Sequence, residues 1–158
     1  MEIRALQPED WPEVARIYED GLATGVASFE TRVPSWPDWD AGHLQALRLV
    51  AELGGRVAGW LAVSPVSRRE CYRGVVEHSV YVDAAARGRG VGRALLDELV
   101  DDAPAYDIWT IQTSIIAGNE PSLALHAAAG FRVVGRRERI ARRDGLWHDT
   151  VLLELRLP

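Results

Sequence analysis

Seven consecutive residues, Arg87-Gly88-Arg89-Gly90-Val91-Gly92-Arg93, hold the densest ligand-binding chemistry in this 158-residue chain. They follow an alternating β-branched run, Val80-Tyr81-Val82, and precede Ala94-Leu95-Leu96. A strand that turns through glycines into a helix aims several unpartnered backbone N–H groups in one direction, and the helix dipole adds partial positive charge there. That is a site for an anion such as a pyrophosphate, and Arg87, Arg89 and Arg93 add charge around it. Two nucleotide-binding patterns fail. A P-loop closes on Gly-Lys-Ser/Thr, whereas this loop closes on Gly92-Arg93-Ala94. A dinucleotide fingerprint counted from Gly88 would put its third glycine where Arg93 stands, and it belongs at the start of a βαβ unit. The pattern that fits is Arg-x-x-Gly-x-Gly, at Arg87, Gly90 and Gly92.

Such a loop needs a strand leading in and a helix leading out. Gly74–Val82 alternates, with Val76, His78, Val80 and Val82 on one face, and predicts the strand. Gly92–Ala103 predicts the helix, with Leu95, Leu96, Leu99 and Val100 inward. Upstream, Glu2–Ala5 reads as a first strand. Trp11, Val14, Ile17, Tyr18 and Leu22 form one face of a first helix, stopped near Gly25. Val26–Pro37 reads as a loop and Asp38–Leu47 as a short helix. Arg48–Leu53 and Arg56–Ser64 form a hairpin on Gly54-Gly55. Downstream, Ile108–Ile116 is a strand. Asn119 caps a helix that has Pro121 in its first turn and ends at Gly130. Arg132–Ile140 and Leu146–Leu157 are the last two strands. The predicted order is β-α-α-β-β-β-α-β-α-β-β, a mixed α/β fold with the sheet between helices.

Composition limits the partners. One domain is expected at this length. A net charge of −5 argues against a general nucleic-acid binder, which depends on neutralising phosphates. The single cysteine, Cys71, excludes an intrachain disulfide, and His43, His78, His126 and His148 show no metal-ligand spacing, so no metal is expected. Met1-Glu2-Ile3-Arg4 has no leader-like basic or apolar region, and no apolar run is long enough to span a bilayer. The expected compartment is the cytoplasm, with no membrane partner.

The Arg87/Gly90/Gly92 pattern resembles the acyl-CoA signature of the GNAT N-acetyltransferase superfamily. The segment Asn119–Phe131, opening on Asn and closing on Gly-Phe, resembles its cofactor-side helix. The resemblance covers nearly the whole chain and implies the GNAT fold, a mostly antiparallel central sheet flanked by helices. Within the superfamily the chain is most similar to the phosphinothricin and methionine sulfone/sulfoximine N-acetyltransferases. Ala27-Ser28-Phe29-Glu30 resembles their substrate loop, and Arg69, Tyr72 and Glu77 fall where that group has a substrate-binding Arg, a Tyr and a catalytic Glu. His126 stands where it has a histidine, and Leu146-Trp147-His148-Asp149 resembles its Trp-His-Asp segment. Val66-Ser67-Arg68 departs from the aromatic and basic pairing of some members.

The resemblance implies acetyl-CoA as co-substrate, a small amine as acceptor, and a homodimer. Acetyl transfer to an ammonium requires removal of a proton and stabilisation of charge on the thioester oxygen. Glu77 is the expected base, and His126 a second base or the acid for the leaving thiolate. The cofactor falls to Val80, Tyr81, Val82, the loop Arg87–Arg93, Asn119 and Ser122. Phe29, Glu30, Arg69 and Tyr72 are the expected substrate contacts, with Arg69 gripping a carboxylate or phosphinate. Taken without the resemblance, Glu77 reads as a solvent-facing strand residue rather than a base, while His126 reads equally as a packed histidine and Arg69 equally as a solvated loop residue. Acetylation of protein N-termini or lysines, and a non-catalytic acyl-CoA-binding module, are the rival readings.

Overall fold

The computed structural model describes residues 1–158. Seven strands and four helices run in the predicted order: β1 Glu2–Ala5, α1 Trp11–Ala23, α2 Trp36–Gly42, β2 Leu49–Leu53, β3 Arg56–Pro65, β4 Val75–Val82, α3 Val91–Asp102, β5 Thr110–Ile116, α4 Glu120–Ala128, β6 Arg132–Arg143 and β7 Leu146–Arg156. They form one sheet of spatial order β1-β2-β3-β4-β5-β7-β6. Every neighbouring pair is antiparallel except β4 and β5.

Two apolar layers cover the two faces of the sheet. On one, Leu95, Leu96 and Leu99 of α3 pack with Leu61, Val63, Val76, Ile111 and Leu153. On the other, Val14 and Ile17 of α1 pack with Trp39 and Trp60, and Trp11, Tyr18, Trp36 and Tyr81 complete an aromatic cluster. A face of α1 at i, i+3 and i+7 makes that contact, as its apolar spacing requires. The closest approach is at Gly21, where an added Cβ would lie 2.5 Å from the Tyr81 ring. Gly54 and Gly55 both have positive φ, 58° and 76°, which gives the β2–β3 hairpin its two-residue turn.

The helix after the first loop lies earlier than the predicted Asp38–Leu47. Ser35 caps it, Pro37 fits its first turn, and it ends at Gly42. Leu47, at φ 60°, lies outside it. Strand β6 continues past Ile140 to Arg143, because a register shift between Arg137 and Ala141, with Arg139 at φ 51°, absorbs an irregularity that the sequence pattern reads as an end.

The decisive feature is the parallel pair. β4 and β5 are matched only at Val75–Thr110, Val76–Ile111 and Glu77–Gln112. Beyond Glu77, β4 stays paired to β3 as far as Val82, and β5 stays paired to β7 as far as Ile116. The two strands therefore separate from each other, and a gap opens in the middle of the sheet.

Candidate active site

That gap leads into a cavity of about 840 Å³. Its walls come from β4 (Glu77–Val82), β5 (Thr113–Ile116), the glycine loop, the start of α4 and the loop after α1.

At one end, β4 runs into the glycine loop. Gly88 and Gly90 sit at φ 73° and 80°, in the region that favours glycine, and an added Cβ at either would meet no atom within 4 Å. The backbone there is open to a ligand. The α3 ladder begins with Ala94 N–H donating to Gly90 O at 3.0 Å, so the amides of Val91, Gly92 and Arg93 precede it. Close packing fixes the loop from behind: an added Cβ at Gly59 would lie 2.8 Å from Val91, and one at Gly92 would lie 3.1 Å from Leu125 of α4. Of the three arginines, Arg87 and Arg93 line the cavity while Arg89 is exposed outside it. The Arg93 guanidinium donates to Ala128 O and to Asp97 Oδ1, both at 2.7 Å, so it also ties α3 to the end of α4. The loop suits an anionic group, with donors and cations gathered round a concavity.

Along the gap, Val80, Tyr81 and Val82 line the cavity as expected. Tyr81 stacks on Trp60, with ring centroids 4.9 Å apart. Burial pushes its phenol well above the usual range, so it stays neutral. Glu77 lines the same space. Its Oε2 accepts from Gln112 Nε2 at 3.0 Å, which fixes the carboxylate at the last rung before the strands part.

His126 is buried, with 1% exposure, and borders the cavity from α4. Its Nδ1 lies 2.7 Å from Ser122 O, and its Nε2 lies 2.9 Å from Nε2 of His78. Asn119 caps α4, its Oδ1 accepting from Ser122 N–H at 3.4 Å, while its Nδ2 donates to Val26 O at 3.2 Å. Asn119 thus joins the expected cofactor side to the loop after α1. Asn119 and Ser122 both line the cavity.

Phe29 and Glu30, on the loop after α1, line the same cavity. Arg143, at the end of β6, holds their loop. It donates to Gly25 O at 2.5 Å and to Ser28 O at 2.9 Å, and its guanidinium lies over the Phe29 ring at 5.6 Å. The His148 ring packs tilted against the same ring, with centroids 5.6 Å apart. Arg69 and Tyr72 are not brought to this cavity. Both are exposed at the short turn Glu70–Tyr72 before β4, where Arg69 lies over the Tyr72 ring at 5.8 Å. Neither lines the cavity, so within one chain the pair expected to grip a carboxylate stands outside it.

Three features were absent from the sequence-based site: His78, the β5 wall with its Thr113 and Ser114 hydroxyls, and Arg143. Hydroxyls interrupting an otherwise β-branched strand were the available signal for β5. His78 and Arg143 gave none, because their partners lie 48 and about 115 residues away.

The acetyltransferase (GNAT) family model matches residues 3–131. An L-methionine sulfoximine/L-methionine sulfone acetyltransferase of Pseudomonas aeruginosa is 31% identical, over 98% of this chain and 94% of its own. Among solved structures, a ribosomal-protein-alanine N-acetyltransferase from Brucella melitensis superposes with a TM-score of 0.91 at 31% identity, covering 99% of this chain and 100% of that one. A phosphinothricin acetyltransferase from Sinorhizobium meliloti, in complex with acetyl-CoA, superposes with a TM-score of 0.88 at 30% identity, covering 99% and 88%.

Proposed function

The chain belongs to the acetyltransferase (GNAT) family, and from that premise we propose that it moves the acetyl group of acetyl-CoA to the primary amine of a small amino-acid-like substrate, of the phosphinothricin, methionine sulfone or methionine sulfoximine type. One observation carries this reading: a single cavity is bordered by the glycine loop, Glu77, His126 and the Phe29–Glu30 loop. An anion cradle, a carboxylate, an imidazole and a loop that can meet the amine therefore share one space.

The open backbone at Gly88 and Gly90 fits the pyrophosphate of acetyl-CoA, with Arg87 beside it. The unpaired edge of β4 beyond Glu77 fits an extended arm carrying amide groups, which a strand edge can hydrogen-bond. When bound, acetyl-CoA supplies an activated acyl carbon and a sulfur that leaves as a thiolate. Glu77, held by Gln112, removes a proton from the substrate ammonium, because only the neutral amine has a lone pair to attack with. Backbone N–H groups at Val80–Val82 steady the developing oxyanion. His126 returns a proton to the leaving sulfur. Phe29 and Glu30 shape the amine's end of the cavity.

A homodimer is part of the reading. Val133, Val134 and Ile140 on the edge strand β6, and Leu146 and Trp147 on its neighbour β7, are exposed apolar residues, a surface that suits a second copy. Acetylation of a protein N-terminus is a second reading, favoured by the likeness to the Brucella enzyme and by the distance of Arg69 and Tyr72 from the cavity.

A thiol-release assay with acetyl-CoA tests this against a panel of amino-acid analogues and peptides. Release with the analogues is expected. Release with peptides alone favours the second reading. Acetyl-CoA binding without release for any amine leaves a non-catalytic binding module.

A further inference from the structure

His78 of β4 and His126 of α4 meet inside the sheet–helix interface, Nε2 to Nε2 at 2.9 Å, both almost fully buried. Phe131 closes the site, its ring centroid 5.4 Å from His78 and 5.2 Å from His126. The outer nitrogens face backbone carbonyls: His126 Nδ1 faces Ser122 O at 2.7 Å, and His78 Nδ1 faces Gln112 O at 3.3 Å. No carboxylate touches either ring. Glu77, next in the chain, points to the other face of β4 and bonds the Gln112 side chain.

Counting protons gives the pair its character. A carbonyl oxygen only accepts, so each outer nitrogen needs a proton to make its bond, and the central contact needs one more. Three ring protons would satisfy every contact, but two neutral imidazoles carry two. The arrangement that uses the two shorter contacts has His126 Nδ1–H donating to Ser122 O and His78 Nε2–H donating to His126 Nε2. The long contact at Gln112 O is left unbonded. Nδ1 is then the nitrogen through which His126 exchanges a proton, beside the Ser122 hydroxyl at 3.5 Å on the cavity wall.

We propose that His78 is a positioning residue for His126: its Nε2–H fills Nε2 of His126, fixes the tautomer, and lets the two rings hold one additional proton as a unit. Uptake of that proton forms the missing bond from His78 Nδ1–H to Gln112 O. Release occurs from His126 Nδ1: the N–H bond breaks and an S–H bond forms on the leaving sulfur, while the central proton passes from His78 Nε2 to His126 Nε2, so that both rings are left neutral and Nδ1 of His126 is free to accept. The substrate ammonium loses two protons in forming the amide. One leaves through Glu77, and the other is taken up at the vacated Nδ1 of His126, replacing the proton given to the sulfur. Burial keeps both rings neutral at rest, His78 being pushed down to about 3. A proton taken up by the pair is therefore held weakly and passes readily to a thiolate.

This rests on His126 being the acid, and the test separates the two claims. In ¹⁵N-labelled protein, a scalar coupling across the N–H···N bond between His78 and His126 is expected, with His126 protonated at Nδ1. In His78→Val the coupling is lost, kcat falls about 10- to 100-fold, as for a hydrogen bond to a group that becomes charged, and the acetyl-CoA KM stays within about twofold of wild type. His78→Gln, whose amide can donate to His126 Nε2, recovers part of kcat. Thermal midpoints of both variants check that they fold. Absence of the coupling in wild-type protein overturns the proposal, whatever the kinetics. So does an unchanged kcat in a folded His78→Val. If the wild-type enzyme acetylates no amine, the proposed function fails, and the coupling still decides the bond between the rings.

Discussion

Glu77 and Gln112 face each other across the last matched rung of β4 and β5, joined by a 3.0 Å hydrogen bond from the amide to the carboxylate. The rung that ends the parallel pairing is thus also the one that orients the proposed base. Glu77→Gln removes the proton acceptor and is expected to lower kcat by about 10²–10⁴. Gln112→Leu keeps the carboxylate but frees it to rotate. A smaller loss, about 10- to 100-fold, is expected there, as for a hydrogen bond to a charged group. Steady-state kinetics on both variants check the ranking. Equal kcat in Glu77→Gln and wild type would remove Glu77 from the mechanism.

Gly90 begins α3 at φ 80°, with open space beyond it. Gly90→Asp puts a side chain and a negative charge into the proposed pyrophosphate site, and acetyl-CoA binding measured by calorimetry should disappear. Gly90→Ala adds only the backbone strain, about 1–2 kcal/mol of stability, and should bind more weakly than wild type but measurably. Wild-type affinity in the Asp variant would empty the loop of its role.

Arg143 spans from the end of β6 to the carbonyls of Gly25 and Ser28 and to the Phe29 ring. Arg143→Ala is expected to raise the amine KM about tenfold or more, since a charge-assisted pair of hydrogen bonds is lost from the loop. The acetyl-CoA KM should hold. Lysine at this position reaches one carbonyl as a point donor and should recover part of the loss. A change confined to acetyl-CoA would contradict the loop assignment.

Stability should depend on acid in two windows. His78 is held neutral by burial and by the neighbouring ring, down to about 3. The unfolded chain takes up a proton near pH 6.5, so it binds more protons than the folded one below that point, and stability falls as pH drops. The slope is up to about 1.4 kcal/mol per pH unit for each such histidine. Urea unfolding at pH 7 and pH 5 should therefore differ by about 2 kcal/mol from His78 alone. The Arg4–Asp10 pair acts lower. Hydrogen bonding from Arg4 depresses the Asp10 carboxyl, so its contribution is present at neutral pH and is lost only below the ordinary carboxylate range. A flat unfolding midpoint between pH 7 and pH 5 would mean that His78 is not buried neutral.

Elements and glycine loop were legible because they depend on local spacing. Leu95, Leu96 and Leu99 face inward at helical intervals, and Gly54-Gly55 can hardly be read as anything but a turn. The short helix starts before Asp38 because Ser35 and Pro37, each a loop residue by type, together cap and open a helix. The His78–His126 contact and the Arg143 strap were not legible. Periodicity put His78 on the correct face of β4 but carried no information about which residue of α4 would stand opposite. Arg69 and Tyr72 show the converse: residue types suited to holding a carboxylate, on an exposed turn that does not line the cavity.

The three-rung pairing of β4 with β5 has a thermodynamic side. A sheet whose central seam is matched over only Val75–Glu77 leaves the rest of that seam to be closed by whatever enters the gap. A ligand that does so becomes, in effect, a missing strand, and the resistance of the folded chain to unfolding then rises with the ligand's concentration. At a hundredfold excess over its dissociation constant the gain is about 2.7 kcal/mol. If that ligand is the proposed acyl donor, the folded fraction of the protein tracks the donor's supply.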